Sequence, residues 1–467
     1  MTVDVLQSLR FLFPDGLLPN LTHLKFAEYT NSYFQYLPMF LSPRVICMRL
    51  RLATLNARVG SLLSSLPPRF LSGSNPSLRN LEVIFPSEGE FTHLSGLLSS
   101  LQTWHNLQRL YVSVADVDVF LRVSRLPYLH TLILQDFKGQ PSDRDQESLH
   151  DPTHLFPALR LFEVETTLAI GCKLLPFLQR SKLECLSIYR NSEITPNDTG
   201  TKALMDFVKC VGDICDPFCL KALRIRARKS RYAKFSNILH PLRDFSMLKS
   251  FKLCLQKSPE LSSEHVVWIG ESWPNLETLS ITSSEAVDYP STVLSIFASL
   301  ASQCPKLHRL KLEVDACYFT DRAAIFMRLT QADGFRNSVS SLKYLDVSTS
   351  PIEGKELVAA FLSEIFPDLR CIRSSVTNKT YNSRWQKIGQ LLLPMLSMTK
   401  KRERFLLDET KGSTMTASSK RDWATDDLSR LEYYWDPMVE GDGSDGDDEI
   451  DLDGGESTDD DTIEIRH

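Results

Sequence analysis

One phrase of about nine residues recurs thirteen times along this chain, and its spacing leaves few folds open. Its clearest copy is Pro274-Asn275-Leu276-Glu277-Thr278-Leu279-Ser280-Ile281-Thr282. Leu276, Leu279 and Ile281 can point one way while Ser280 and Thr282 point the other, which describes a strand with one buried face. Pro274 and Asn275 supply the turn that leads into it. Other clear copies begin at Pro19, Pro76 and Pro305. Aligned on the first apolar residue, the copies start at Leu21, Val45, Leu78, Leu107, Leu129, Leu159, Leu183, Leu220, Leu248, Leu276, Leu307, Leu342 and Leu369. The mean spacing is 29 residues, with extremes of 22 and 37. That mean lies at the upper end of the leucine-rich-repeat range.

Each interval has a second part. After the strand comes a polar bend, then a stretch with apolar residues at helical spacing, as in residues 91–101, 291–300 and 356–366. Period two followed by period 3.6, thirteen times over, predicts an α/β leucine-rich-repeat solenoid. The strands form one curved parallel sheet and the helices cover its outer side. One unit cannot bury its own apolar face, so stacking supplies the stability. The predicted organisation is a solenoid over residues 1–377, a helical cap over 378–408 kinked near Pro394, and a mostly disordered acidic tail over 409–467. Residues 1–18 hold the tail of a preceding repeat helix, and residues 138–153 a protruding polar loop.

Charge is unevenly distributed. The chain totals −5, yet residues 431–467 hold 15 acidic residues against one Arg, which leaves the rest at about +9. No basic n-region opens the chain and no long apolar run occurs, so neither a secretory signal nor a membrane span is expected. The ten Cys are then expected to be reduced thiols of a cytoplasmic or nuclear protein.

The Leu-x-x-Leu-x-Leu core resembles that of intracellular leucine-rich-repeat proteins. With "Phe-Pro" or "Cys-Pro" before it, as in Leu155-Phe156-Pro157-Ala158-Leu159 and Gln303-Cys304-Pro305-Lys306-Leu307, the cadence is most similar to the fungal F-box proteins with degenerate repeats. The resemblance covers roughly residues 12–373. It implies a solenoid that holds a substrate, and an F-box helical domain that docks on the Skp-type linker of a cullin ubiquitin ligase. The Leu-Pro-x-Glu-like F-box signature is not found in residues 1–18, so linker docking would need an F-box upstream.

No catalytic set stands out. His23, His130 and His308 fall between the leucines of a repeat phrase, where turn or packing roles outnumber bases. Neither a Gly-x-Ser-x-Gly, a His-Glu-x-x-His nor a Walker-type loop occurs. Cys210, Cys215 and Cys219 are too few and too widely spaced for a zinc site. An enzyme is therefore not expected, nor a cofactor or metal.

The informative positions lie between the strand leucines. For any one charge a solvated sheet face is the commoner role. Arg224 and Arg226 differ, because two guanidinium groups project from one short strand and suit a carboxylate or phosphate. Arg228, Lys229, Arg231 and Lys234 follow. The partner-binding set on the concave face is Glu163, Glu165, Tyr189, Arg224, Arg226, Lys252, Ser280 and Lys311, with Asp346 further along. The expected partner is an acidic or phosphorylated protein client. A nucleic acid fits less well, since the basic stretch has one nearby aromatic, Tyr232, and the acidic tail would repel it. The tail is either a solubilising end or a competitor for the basic patch. The leading expectation is a protein-interaction scaffold, the substrate-recognition part of an F-box-type ubiquitin ligase adaptor. The alternative is a binding scaffold unconnected with ubiquitin.

Overall fold

The computed structural model describes residues 3–12, 17–28, 34–40, 43–52, 77–84, 104–139, 155–189, 200–227, 235–257, 259–284, 290–317, 340–374 and 380–391. All of these fall in the compact unit Met1–Lys400. The expected helix over 91–101, the body of the 138–153 loop, the basic residues 228–234, the region after residue 391 and the acidic tail lie outside the described residues.

Thirteen strands form one parallel sheet in strict sequence order. They are β1 (His23–Glu28), β2 (Cys47–Leu52), β3 (Asn80–Ile84), β4 (Arg109–Val112), β5 (Thr131–Leu134), β6 (Leu161–Glu165), β7 (Cys185–Tyr189), β8 (Ala222–Ala227), β9 (Ser250–Leu255), β10 (Thr278–Ser283), β11 (Arg309–Leu312), β12 (Tyr344–Asp346) and β13 (Cys371–Arg373). Every strand begins two residues after the first apolar residue of its phrase. From Val45 onward that residue is at most 4% exposed in every repeat. The strand therefore starts only after the chain has been anchored in the core.

A backbone ladder repeats with equal regularity. The carbonyl of the residue after the anchor accepts two successive N–H groups from the next repeat. Lys249 O, for example, accepts from Glu277 N at 2.8 Å and Thr278 N at 2.9 Å. The same fork joins all twelve neighbouring pairs, from Thr22 O to Lys343 O. Buried backbone polar groups at the turn are thus paired whatever the local side chains are.

The buried columns follow the register. Met48, Leu81, Leu110, Leu132, Phe162, Leu186, Leu223, Phe251, Leu279, Leu310 and Leu345 lie side by side from β2 to β12. All are buried in one continuous core. Helix α1 (Val3–Leu12) packs on residues 34–40 in a separate cluster of Leu6, Tyr36 and Met39. Behind the columns pack the helices α2 (Val117–Val123), α3 (Leu168–Leu174), α4 (Gly200–Ile214), α5 (Phe235–Leu239), α6 (Ser263–Ser272), α7 (Ile296–Gln303) and α8 (Lys355–Ile365). Between α2 and the sheet, the Phe120 ring meets Phe137, Phe156, Phe162 and Phe177 at centroid distances of 5.0–6.3 Å.

The aromatic-or-Cys-Pro cadence acquires a mechanism. Helices α6, α7 and α8 end on Trp273, Cys304 and Phe366, with φ near −120° and ψ of 63–71°. Each stands directly before Pro274, Pro305 or Pro367, and the residue before a proline is barred from continuing a helix. Each side chain is buried. Each carbonyl then accepts from the N–H of the next repeat's anchor, Leu276, Leu307 or Leu369, at 3.0–3.1 Å.

One helix starts later than its apolar pattern predicts. Residues 291–294 cross to the next repeat in an extended bend, where Val293 bridges to Asp315 and Thr292 Oγ1 accepts from Leu261 N at 3.0 Å. Helix α7 starts only at Ile296. Cross-repeat hydrogen bonds outcompete the helical periodicity there. At the far end, residues 380–391 are helical, with Trp385 and Ile388 buried. Trp385 Nε1 donates to Ser350 O at 2.9 Å, which ties this last helix to the repeat before it.

Candidate functional site

Side chains that alternate with the core leucines line the other face of the sheet. Read across the strands, one row runs Lys25, Arg49, Glu82, Tyr111, Ile133, Glu163, Ser187, Arg224, Lys252, Ser280, Lys311, Asp346, Arg373. Five of the eight sequence-selected residues, Glu163, Arg224, Lys252, Ser280 and Lys311, stand in this row. Glu165 pairs with Tyr189 two residues further along β6 and β7, and Arg226 with Cys254 on β8 and β9. The register thus brings all eight onto six adjacent strands, β6–β11. At the usual strand spacing of about 4.8 Å, the row from Glu163 to Lys311 spans roughly 24 Å.

These positions are not equally open. Arg224 and Glu163 are each 8% exposed and Tyr189 5%, whereas Glu165, Arg226, Lys252, Ser280 and Lys311 are half-buried. The expectation that Arg224 projects freely is corrected. It lies between the fully buried Ser187 on one flanking strand and Lys252 on the other, close enough to the buried Cys185 thiol for its charge to act on it. Thr282, expected to point outward with Ser280, is also buried. Lys311 already holds Asp346 at 3.3 Å, and Arg49 holds Glu82 at 2.7 Å.

The face is electrostatically divided. On the β3–β7 side, burial raises the Tyr111 phenol to about 12, with Glu82 and then Glu163 adding to it. Tyr189 is raised likewise by burial, then by Glu163 and Glu165. Burial pushes the Cys185 thiol up to about 11, and the Arg224 guanidinium opposes it. Crossing from β7 to β8, the field changes from acidic to basic, and Arg224, Arg226 and Lys252 follow on two adjacent strands.

Sequence reasoning missed the apolar part of this face. Ile133, Leu161, Cys185 and Ala222 form a buried cluster of their own, with Tyr111 packed against it. The signal was a loss of alternation, since Leu132-Ile133-Leu134 and Leu161-Phe162 place apolar residues on both faces. Also missed was Glu313, 1% exposed at the end of β11. Its Oε1 accepts Ser283 N at 3.1 Å and its Oε2 the Ser283 hydroxyl at 2.6 Å.

Of the histidines between repeat leucines, His23 opens β1, and His130 and His308 stand directly before β5 and β11. His308 is held below its ordinary value by burial and by Lys343. The same row carries ion pairs along the solenoid, with Glu184 between Arg160 at 3.3 Å and Lys221 at 2.8 Å. Cys210, Cys215 and Cys219 do not converge, and no group of three metal-ligating side chains occurs among the described residues. Among those residues no helix is long and apolar enough to cross a membrane. The sequence matches no family model, and a search of curated proteins finds no match.

Proposed function

We propose that this chain is a protein-binding scaffold, and that its sheet face takes an acidic or phosphorylated segment of a client protein. The observation that carries the reading is the placement of Arg224, Arg226 and Lys252 on the neighbouring strands β8 and β9, beyond an acidic stretch around Glu163 and Glu165. Guanidinium pairs hold carboxylate or phosphate bidentately. A row of roughly 24 Å suits about seven residues of extended peptide. The acidic side orients the client by excluding its anionic groups from β6.

The ubiquitin-ligase form of this reading rests on the cadence of the repeats. In it, the solenoid recruits substrate, and a Skp-type linker with its cullin complex joins through an F-box upstream. A scaffold without a ubiquitin connection uses the same surface. Neither form requires catalytic residues, a cofactor, a membrane or a nucleic acid, and both place the protein in the cytoplasm or nucleus.

The test uses a displayed library of acidic, phosphorylated and basic peptides. Arg226→Glu with Lys252→Glu is the informative variant, because both side chains are more open than Arg224. Acidic or phosphorylated peptides should be enriched, and the double reversal should weaken them by about tenfold or more. The loss should shrink as salt is raised. Equal binding by a folded double variant would defeat the proposal. Copurification of a Skp-type linker with the full chain distinguishes the two forms.

A further inference from the structure

We propose that Cys172 and Cys210 form a reversible disulfide between helices α3 and α4, which makes the outer side of the solenoid a peroxide-responsive modification site. The two thiols belong to consecutive repeats and meet where helices α3 and α4 pack together. A Cβ placed on Gly171 would lie 2.7 Å from Ile188 Cδ1 and 3.3 Å from Phe207 Cε2. A side chain there would have to displace the tip of Ile188 and crowd the Phe207 ring. Cys172 follows Gly171 directly, and Cys210 lies one helical turn beyond Phe207, on the same face of α4. The result is a contact of 3.6 Å, in which Cys210 Sγ donates to the Cys172 carbonyl oxygen. The two thiols also act on each other's titration. Both residues are half-buried, so a small oxidant reaches them.

The chemistry of the pair is asymmetric. The bond from Cys172 holds the Cys210 thiol below its ordinary value, against burial and the nearby Asp213. The same bond, then burial, then Asp206 among the nearby charges, raise Cys172. Cys215 and Cys304 are both pushed up to about 12 by burial. Cys210 is therefore the attacking sulfur, since the thiolate is the reactive form.

The step balances with hydrogen peroxide as oxidant. The Cys210 thiolate attacks one peroxide oxygen, the O–O bond breaks, and the hydroxide that leaves takes up the proton released from Cys210. The sulfenic acid so formed is attacked by Cys172 sulfur, the S–O bond breaks, and a second water leaves with the Cys172 proton. Two thiols are oxidised to one disulfide and one peroxide is reduced to two waters. The new bond brackets β7, the strand that carries Ser187 and Tyr189 between the acidic and basic halves of the sheet face.

The experiment treats the full chain with hydrogen peroxide, alkylates the remaining thiols, and maps linked peptides by mass spectrometry. The expected product lacks two hydrogens, links Cys172 to Cys210 within one chain, and is restored by dithiothreitol. Cys172→Ser should leave Cys210 as a sulfenic acid that a dimedone probe captures, and Cys210→Ser should leave Cys172 reduced. Independent alkylation of Cys172 and Cys210 in the oxidised wild type would overturn the proposal. So would linkage of Cys210 to Cys215 or to a second chain. The wild-type map decides the matter even where a variant folds poorly.

Discussion

At the residue scale, position within the nine-residue phrase decides what a side chain does. Leu279 is fully buried between Phe251 and Leu310 on the flanking strands. Truncation there removes apolar contacts and leaves a cavity that two repeats share. Leu279→Ala should lower stability by about 2–5 kcal/mol in a urea titration. Glu313 shows the opposite case of a charge placed where the phrase wants none. Burial raises its carboxyl above 4.5, and the two bonds from Ser283 only partly offset this. A carboxyl whose value rises on folding stabilises most below its unfolded value, and that contribution is lost as pH climbs through the folded one. Glu313→Gln keeps an acceptor for Ser283 and removes the titration. The variant should therefore gain stability relative to wild type as pH is raised from about 4.5, read from urea midpoints. An unchanged difference as pH is raised would show that Glu313 titrates normally.

At the scale of elements, the outer helices are set by how closely consecutive repeats approach. Gly270 in α6 and Gly212 in α4 occupy equivalent places. A Cβ on Gly270 would lie 2.6 Å from Gln303 O at the end of α7, and one on Gly212 would lie 2.6 Å from Pro241 O. Alanine is the better helix former by about 1 kcal/mol. Contact with a neighbouring backbone carbonyl nevertheless costs more than that gain. Gly270→Ala should destabilise by on the order of 1–2 kcal/mol in thermal or urea unfolding. A stabilised variant would mean that the repeats can move apart. The strands were legible from sequence to within a few residues, because the anchor leucine, the fork of backbone bonds and the register share one repeating frame. The helices were less legible. In residues 291–294 an apolar pattern of helical period serves instead to bridge to Asp315 and Leu261, and periodicity does not distinguish the two uses.

At the scale of the molecule, a parallel sheet with strands in chain order converts distance along the sequence into position across a surface. Residues about 29 apart become neighbours, which is why the repeat phrase alone groups Glu163, Arg224, Lys252 and Lys311. Their burial does not follow from the phrase. Arg224 and Glu163 stand on either side of the short, fully buried Ser187, and how far each is covered depends on which residues flank it. The apolar cluster of Ile133, Leu161, Cys185 and Ala222 likewise emerges only when four strands are laid in register. In the proposed binding mode, partners are held by the sheet face and not by the outer helices. Site-specific photo-crosslinking tests it most directly, with a benzophenone amino acid at Ser280 on the sheet face or at Val267, 41% exposed on α6. In extracts of cells expressing the protein, the probe at Ser280 should capture a partner adduct that disappears when Arg226→Glu and Lys252→Glu are added. The probe at Val267 should capture none. An adduct from Val267 alone, or one from Ser280 that survives the charge reversal, would contradict the account.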